Sequence, residues 1–266
     1  MNSFYFGSAD SALFGTFHTP GAEHFRDSAV LLCSPTGQEY MRTHRAFRQL
    51  ATALASQGFP VLRFDYFATG DSAGNDQESS VSRWQDDILT AATELKALSG
   101  LEQLSLIGLR LGGALATSVA DGRLTLKKLI LWDAVISGEQ YIDELRSAHQ
   151  QMLKELGRSQ TDKHETEELL GFPFSNTLLH EIETINLLQQ RHFSAEKVFL
   201  LVSATAAALD TALRHKIESA GVNVTQLSID AAADISSKRY DQQDSLLFSS
   251  KAVKTIASLI AQDAQP

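Results

Sequence analysis

Two glycines bracket a single arginine in Gly108-Leu109-Arg110-Leu111-Gly112, at the spacing of the pattern G-x-S-x-G, which holds a serine at its centre. In that pattern the serine rides a sharp strand-to-helix turn, and the small flanking residues let neighbouring backbone come close. Arginine keeps the frame and removes the nucleophile. A guanidinium stays protonated near neutral pH and carries five N–H donors with no nucleophilic lone pair, so it cannot stand in for serine in acyl transfer. Anion binding, or an internal salt bridge, is the chemistry left for this position.

The helix that starts near Leu111 presents unpaired N–H groups and the positive end of its dipole to the space above the strand. In a working hydrolytic turn these donors form half of an oxyanion hole, and a loop such as Pro35-Thr36-Gly37 forms the other half. Arg110, Leu111, Thr36 and Gly37 are therefore candidate ligand-binding residues for a carboxylate or phosphate. His44 and Arg45, just after the loop and close to Arg42, add a cationic rim, and Asp133 closes the strand that follows. The same arginine could instead be consumed inside the protein by Asp65, Asp71, Asp133 or Glu39, because a buried guanidinium must find an acceptor. The two readings are compatible if one carboxylate anchors the arginine and leaves donors free.

A Ser-His-acid mechanism on this frame needs nucleophile, acid and histidine in that chain order. From Val222 to Pro266, where the base belongs, the sequence has no histidine; the last is His215, and the nearest polar loop residues are Asp230 and Asp234. Asp210 or Asp133 could be the acid, with neither base nor nucleophile to orient. Rerouted chemistry would recruit Ser34 or Ser72 as nucleophile, with His44 or His149 as base. Ser72 lies in Gly70-Asp71-Ser72-Ala73-Gly74, which imitates the motif after a different strand, and a hydroxyl that caps a turn is its simpler role. His149 shares a helical stripe with Tyr141 and Leu145 and suits packing as well as ligand contact. His18, His24, His164, His180, His192 and His215 lack metal-ligand spacing, so neither a metal nor a cofactor is inferred.

The elements that must position these residues follow from hydrophobic periodicity. Phe4–Gly7 and Leu13–His18 suit an antiparallel hairpin, and Ser28–Cys33, Pro60–Tyr66, Leu104–Leu109, Lys128–Trp132, Lys197–Ser203 and Val222–Ile229 read as strands. Helical spacing covers Thr43–Gln57, Ser80–Leu98, Gly112–Ala120, Ala206–Ala220 and Ser250–Ala261. Alternation of this kind predicts an α/β fold with a mostly parallel sheet flanked by helices. It lapses after Gly138: Glu139–Leu156 and Leu178–Leu188 read as helices, Arg158–Glu168 as charged and strand-free, so residues 138–195 are expected to form a helical insertion near the strand ends.

With 266 residues and 43% hydrophobic side chains, the chain suits one domain, 1–266, with that insertion inside it. A formal charge of −9 argues against a nucleic-acid or anionic-membrane surface. Cys33 stands alone, so no intramolecular disulfide is possible. No signal-like start or membrane-spanning run is present, and a cytoplasmic protein is expected.

Hairpin, alternating strands, elbow and insertion together resemble the α/β-hydrolase fold over nearly the whole chain. Leu13-Phe14-Gly15-Thr16-Phe17-His18-Thr19-Pro20, Gly37-Gln38-Glu39-Tyr40-Met41-Arg42-Thr43-His44-Arg45, Arg63-Phe64-Asp65-Tyr66-Phe67-Ala68-Thr69-Gly70-Asp71-Ser72-Ala73-Gly74, the elbow, and Leu131-Trp132-Asp133-Ala134-Val135-Ile136-Ser137-Gly138 resemble the exosortase A system-associated hydrolase 2 branch. In that branch arginine at the elbow is habitual. Ala68 stands where its turn usually has glycine, and Ala134 where proline usually follows the aspartate, which implies looser loops. The expectation is a helical cap over 138–195 and a catalytically silent protein that binds a small anionic or acyl-bearing ligand, or a protein partner, in the former active-site cleft. An unconventional ester or thioester hydrolase or acyltransferase using Ser72 or Ser34 is the alternative, and a scaffolding protein of an export or biosynthetic pathway is the third reading.

Overall fold

The computed structural model describes residues 1–21, 25–158, 166–203, 207–229 and 250–262. Strands β1 (Asn2–Phe6) and β2 (Leu13–His18) form the expected antiparallel hairpin. β3 (Ala29–Cys33), β4 (Val61–Phe64), β5 (Leu104–Leu109) and β6 (Leu126–Trp132) follow, each leading into helix or loop. After a two-stranded ribbon of β7 (Thr166–Leu169) and β8 (Phe172–Ser175) come β9 (Ala195–Ser203) and β10 (Asn223–Ile229). Eight strands make one sheet in the order β1-β2-β4-β3-β5-β6-β9-β10, antiparallel as far as β2–β4 and parallel beyond.

Helices cover both faces, as a parallel sheet requires. Val30, Leu32, Ile107, Leu109, Ile130 and Trp132 turn toward α1 (Gly37–Ser56) and α7 (Ser250–Ala261). Leu31, Cys33, Leu104, Leu106, Leu129 and Leu131 turn the other way, toward α2 (Val81–Ser99), α3 (Leu111–Val119) and α6 (Ala207–Ser219). The strict alternation is the period of two of a strand buried on both sides. Lys128 is also buried, and its Nζ donates to the carbonyls of Leu259 (3.0 Å), Ile260 (2.9 Å) and Gln262, closing the end of α7 with a cation.

Between β6 and β9 the chain runs through α4 (Gly138–Glu155), the β7–β8 ribbon and α5 (Asn176–Glu183). The insertion is thus not wholly helical, and the strand-free reading of Arg158–Glu168 fails at Thr166, where β7 begins. Two four-residue strands, one with Glu167 and Glu168 and the other with Pro173, carry too few apolar alternations to be recognised. α1 also starts at Gly37, six positions before the expected Thr43, because its first turns are polar and pack through Glu39 instead of an apolar stripe. His24, His164, Asp230 and Asp234 lie outside the described residues.

Candidate functional site

The elbow is built as its glycines predict. Arg110 sits between β5 and α3 with φ 51° and ψ −121°, a conformation that costs a non-glycine residue about 1–3 kcal/mol and must be held by its surroundings. Its N–H donates to the Trp132 carbonyl (3.0 Å), and its own carbonyl accepts from Gly113 (3.0 Å) and Val135 (3.1 Å). Gly112 is obligatory for close approach: a Cβ there would lie 2.3 Å from the Cys33 carbonyl oxygen and 2.4 Å from that of Ser34. Sequence thereby brings the end of β3 against the start of α3, as a strand-turn-helix nucleophile site needs.

The side chain at the tip is engaged by three oxygen acceptors and an aromatic ring. Arg110 Nε donates to Glu39 Oε1 (2.9 Å), Nη2 to Glu144 Oε2 (3.0 Å) and Nη1, at 3.4 Å, to the Asp133 carbonyl. The guanidinium carbon lies 5.3 Å from the centre of the Tyr141 ring, whose hydroxyl donates to the other Glu39 oxygen at 3.0 Å. Glu39 is 7% exposed and is bound by both partners, so its charge is compensated where burial would otherwise expel it. Burial works against the arginine's charge as well; Glu39, Tyr141 and Glu144 outweigh it and lift its pKa above the ordinary value. Of the expected acceptors, Glu39 holds the side chain and Asp133 contributes only its carbonyl. Asp65 and Asp71 do not pair with it: Asp65 accepts from the Tyr40 hydroxyl (2.7 Å) and the Asp71 amide (3.1 Å).

The other ligand-site candidates divide. Leu111 is fully buried in the first turn of α3, and Thr36, 5% exposed, precedes α1 with an Oγ1 that meets no partner among the described residues. Gly37 has φ +60°, and a Cβ there would stand 3.3 Å from the Phe174 ring, so β8 presses directly on the loop next to the elbow. Arg45 is exposed on α1. His44 lines a cavity of about 60 Å³ together with Ser34, Tyr40, Arg63, Asp65 and Asp71, one strand to the side of the elbow. Burial and then Arg63 push the His44 pKa below its ordinary value.

The rerouted nucleophile and base candidates are mostly spoken for. Ser72 Oγ donates to the Asp65 carbonyl (2.6 Å) and accepts from the Phe14 amide (2.8 Å), so it braces a turn against β2. His149, 3% exposed, accepts the Leu170 amide on Nδ1 (3.1 Å) and supports the left-handed Leu170 in the ribbon turn. Ser34 and His44, in contrast, face one cavity. Asp133, with φ 42°, receives Ser203 N on Oδ1 (2.7 Å) and Ser203 Oγ on Oδ2 (2.5 Å).

The family model for serine aminopeptidases, S33, matches residues 28–212, well over half of the sequence and the stretch that contains the elbow. The chain belongs to the S33 serine aminopeptidase family. Its fold is the α/β-hydrolase fold. Ferulic-acid-bound Est1E from Butyrivibrio proteoclasticus is similar with a TM-score of 0.69 at 14% identity, covering 97% of this chain and 98% of that one. Mouse alpha/beta hydrolase domain-containing protein 10 (0.62, 16%, 98% and 99%) and Mycobacterium smegmatis proline iminopeptidase (0.62, 14%, 98% and 98%) are similar over the same extent. At such identities the likeness concerns the fold. No curated protein sequence matches the chain.

In this S33 chain the second acidic candidate, Asp210, occupies the first turn of α6, 6% exposed, with Oδ2 lacking a partner among the described residues. Burial, and next the charge of Asp133, push its carboxyl up to about 6. Sequence reasoning placed Tyr141 on the His149 stripe without giving it a role at the elbow, and missed Glu144, which reaches the elbow from α4 beside it, and Arg63, which lines the cavity from β4. Glu144 carries no local signal. Among the described residues, no helix is long and apolar enough to cross a membrane.

Proposed function

We propose that this S33-family protein is catalytically silent and binds a small anionic or acyl-bearing ligand at the carboxyl edge of its sheet, with residues 138–195 acting as a cap over the former centre. One observation carries the reading: at the position of the nucleophile stands an arginine held by Glu39 and Glu144, which ties elbow, α1 and α4 together. The sequence adds support, since no histidine follows His215 and the arginine elbow resembles a branch in which it is habitual. The ligand-binding part rests on the cavity beside the elbow, whose wall includes His44 and Ser34.

The shared cavity of Ser34 and His44 favours one rival, a rerouted serine hydrolase. Incubation with a fluorophosphonate probe and a panel of short-chain nitrophenyl esters separates the two. The silent reading predicts neither labelling nor turnover above background. Turnover that disappears in Ser34→Ala would establish the rival and overturn it.

A further inference from the structure

Arg63 stands on β4 facing α1, half-buried, with Asp65 near enough to act on its charge but not in an ion pair with it. Its Nε donates to His18 Nε2 at 3.2 Å. That acceptor is an uncharged imidazole: burial, then Arg63 itself, hold the His18 pKa down at about 4. Among the described residues no carboxylate forms an ion pair with Arg63, and the terminal N–H groups of its fork have no acceptor. Asp65, the nearest acidic residue on the same strand end, has each of its oxygens engaged, one by Tyr40 and one by the Asp71 amide. The Nη donors of this half-buried guanidinium still reach solvent, so a ligand oxygen there would take the place of water.

That space exists. The cavity of about 60 Å³ bounded by Arg63, His44, Ser34, Thr16 and Tyr40 holds a few waters or one small polar group. It lies at the carboxyl ends of β3 and β4, the edge at which open α/β sheets take ligands. The Ser34 hydroxyl, and that of Thr16 while it accepts from Ser3, can orient an acceptor, whereas the Tyr40 proton already goes to Asp65; the Arg63 fork matches the two oxygens of a carboxylate. Asp65 and the exposed Asp71 share the wall with Arg63, so the cavity opposes a dianion and admits a monoanion only against the Arg63 charge, more readily one carrying an ammonium group.

We infer that this cavity is a binding site for a small carboxylate, held by the Arg63 fork and steered by His44 and the surrounding hydroxyls. The inference deepens the binding role proposed above by naming the group recognised, and it moves that group from Arg110 to Arg63. The carboxylate could belong to a simple organic acid or to an amino acid, which differ in the ammonium group that Asp71 would meet.

The test is a titration of the full-length protein with acetate, glycine and inorganic phosphate, followed by the NMR signal of His44. His44 senses Arg63, Asp65 and Arg48 and lies tilted against the Tyr40 ring, so a bound carboxylate that offsets Arg63 must raise its titration midpoint. Saturable upward shifts with acetate and glycine, and weaker binding of phosphate, are expected; glycine tighter than acetate identifies the amino-acid source. Arg63→Gln should weaken carboxylate binding about tenfold or more, the loss of a charge-assisted pair of hydrogen bonds. Arg63→Lys, which keeps the charge without the fork, should fall between. A wild-type His44 signal that ignores acetate and glycine overturns the proposal even if both variants fail to fold, and so does unchanged affinity in a folded Arg63→Gln. Ester turnover with intact carboxylate binding would remove the silent reading and leave this site standing; absence of both turnover and binding would do the reverse.

Discussion

Arg110 and Arg63 stand at the carboxyl edge of one sheet, separated by β3, in opposite surroundings. Arg110 meets two carboxylates, a carbonyl and an aromatic face, whereas Arg63 meets a neutral histidine and an open cavity. The cause is topological. β5 ends beneath α4, which lowers Tyr141 and Glu144 onto its tip, while the end of β4 faces the start of α1, whose Tyr40 is occupied with Asp65. An arginine's residue type therefore says little about its role here; the partners brought by distant elements decide whether it fastens the fold or seeks a ligand.

The largest effect should come from breaking the fastened side. Glu39→Gln removes the buried one of the two carboxylates that hold Arg110, leaving the more exposed Glu144, and should lower stability by about 3 kcal/mol, at the low end of the range for breaking a buried pair. Denaturant midpoints measure it. Arg63→Gln, by the same assay, should cost less than about 1 kcal/mol, since among the described residues no carboxylate is ion-paired with it. Equal losses in the two variants would erase the contrast.

Asp210 sharpens the comparison from the acidic side. Its carboxyl is pushed up to about 6 in the folded protein, above its unfolded value near 3.8, so the folded state binds the extra proton. That contribution to stability is complete below about pH 3.8 and is lost as pH rises through about 6. Asp210→Asn should thus be more stable than wild type at pH 7, by roughly 1–3 kcal/mol, with the advantage gone near pH 4. Thermal melts of both proteins across that range read the effect. Ser72→Ala should cost about 1–2 kcal/mol by stranding the Phe14 amide, and leave carboxylate binding at the Arg63 cavity within twofold.

Much of this architecture was legible because it depends on local rules. Continuous apolar runs gave the parallel strands, glycines at 108 and 112 the elbow, and Ser72 its turn. The β7–β8 ribbon was not legible, being too short and too charged to show a period, nor was the early start of α1, which packs through a carboxylate. At the site, Glu39 was among the acceptors expected for Arg110, but Glu144 lies 34 residues away on a helix whose placement no local pattern encodes. Arg63 escaped notice for the same reason: on its own strand it reads as one polar residue between Leu62 and Phe64, and only the meeting of β2, β4 and α1 makes it the wall of a cavity.

The central proposal is that the elbow has become a fastening and that a serine placed at its tip would still lack a base. Arg110→Ser tests it most directly, because it restores the nucleophile to a turn that still has the right backbone. Measured against short-chain nitrophenyl esters, the folded variant should show no turnover above the uncatalysed rate. Substantial turnover by Arg110→Ser would contradict the account and reveal a working base.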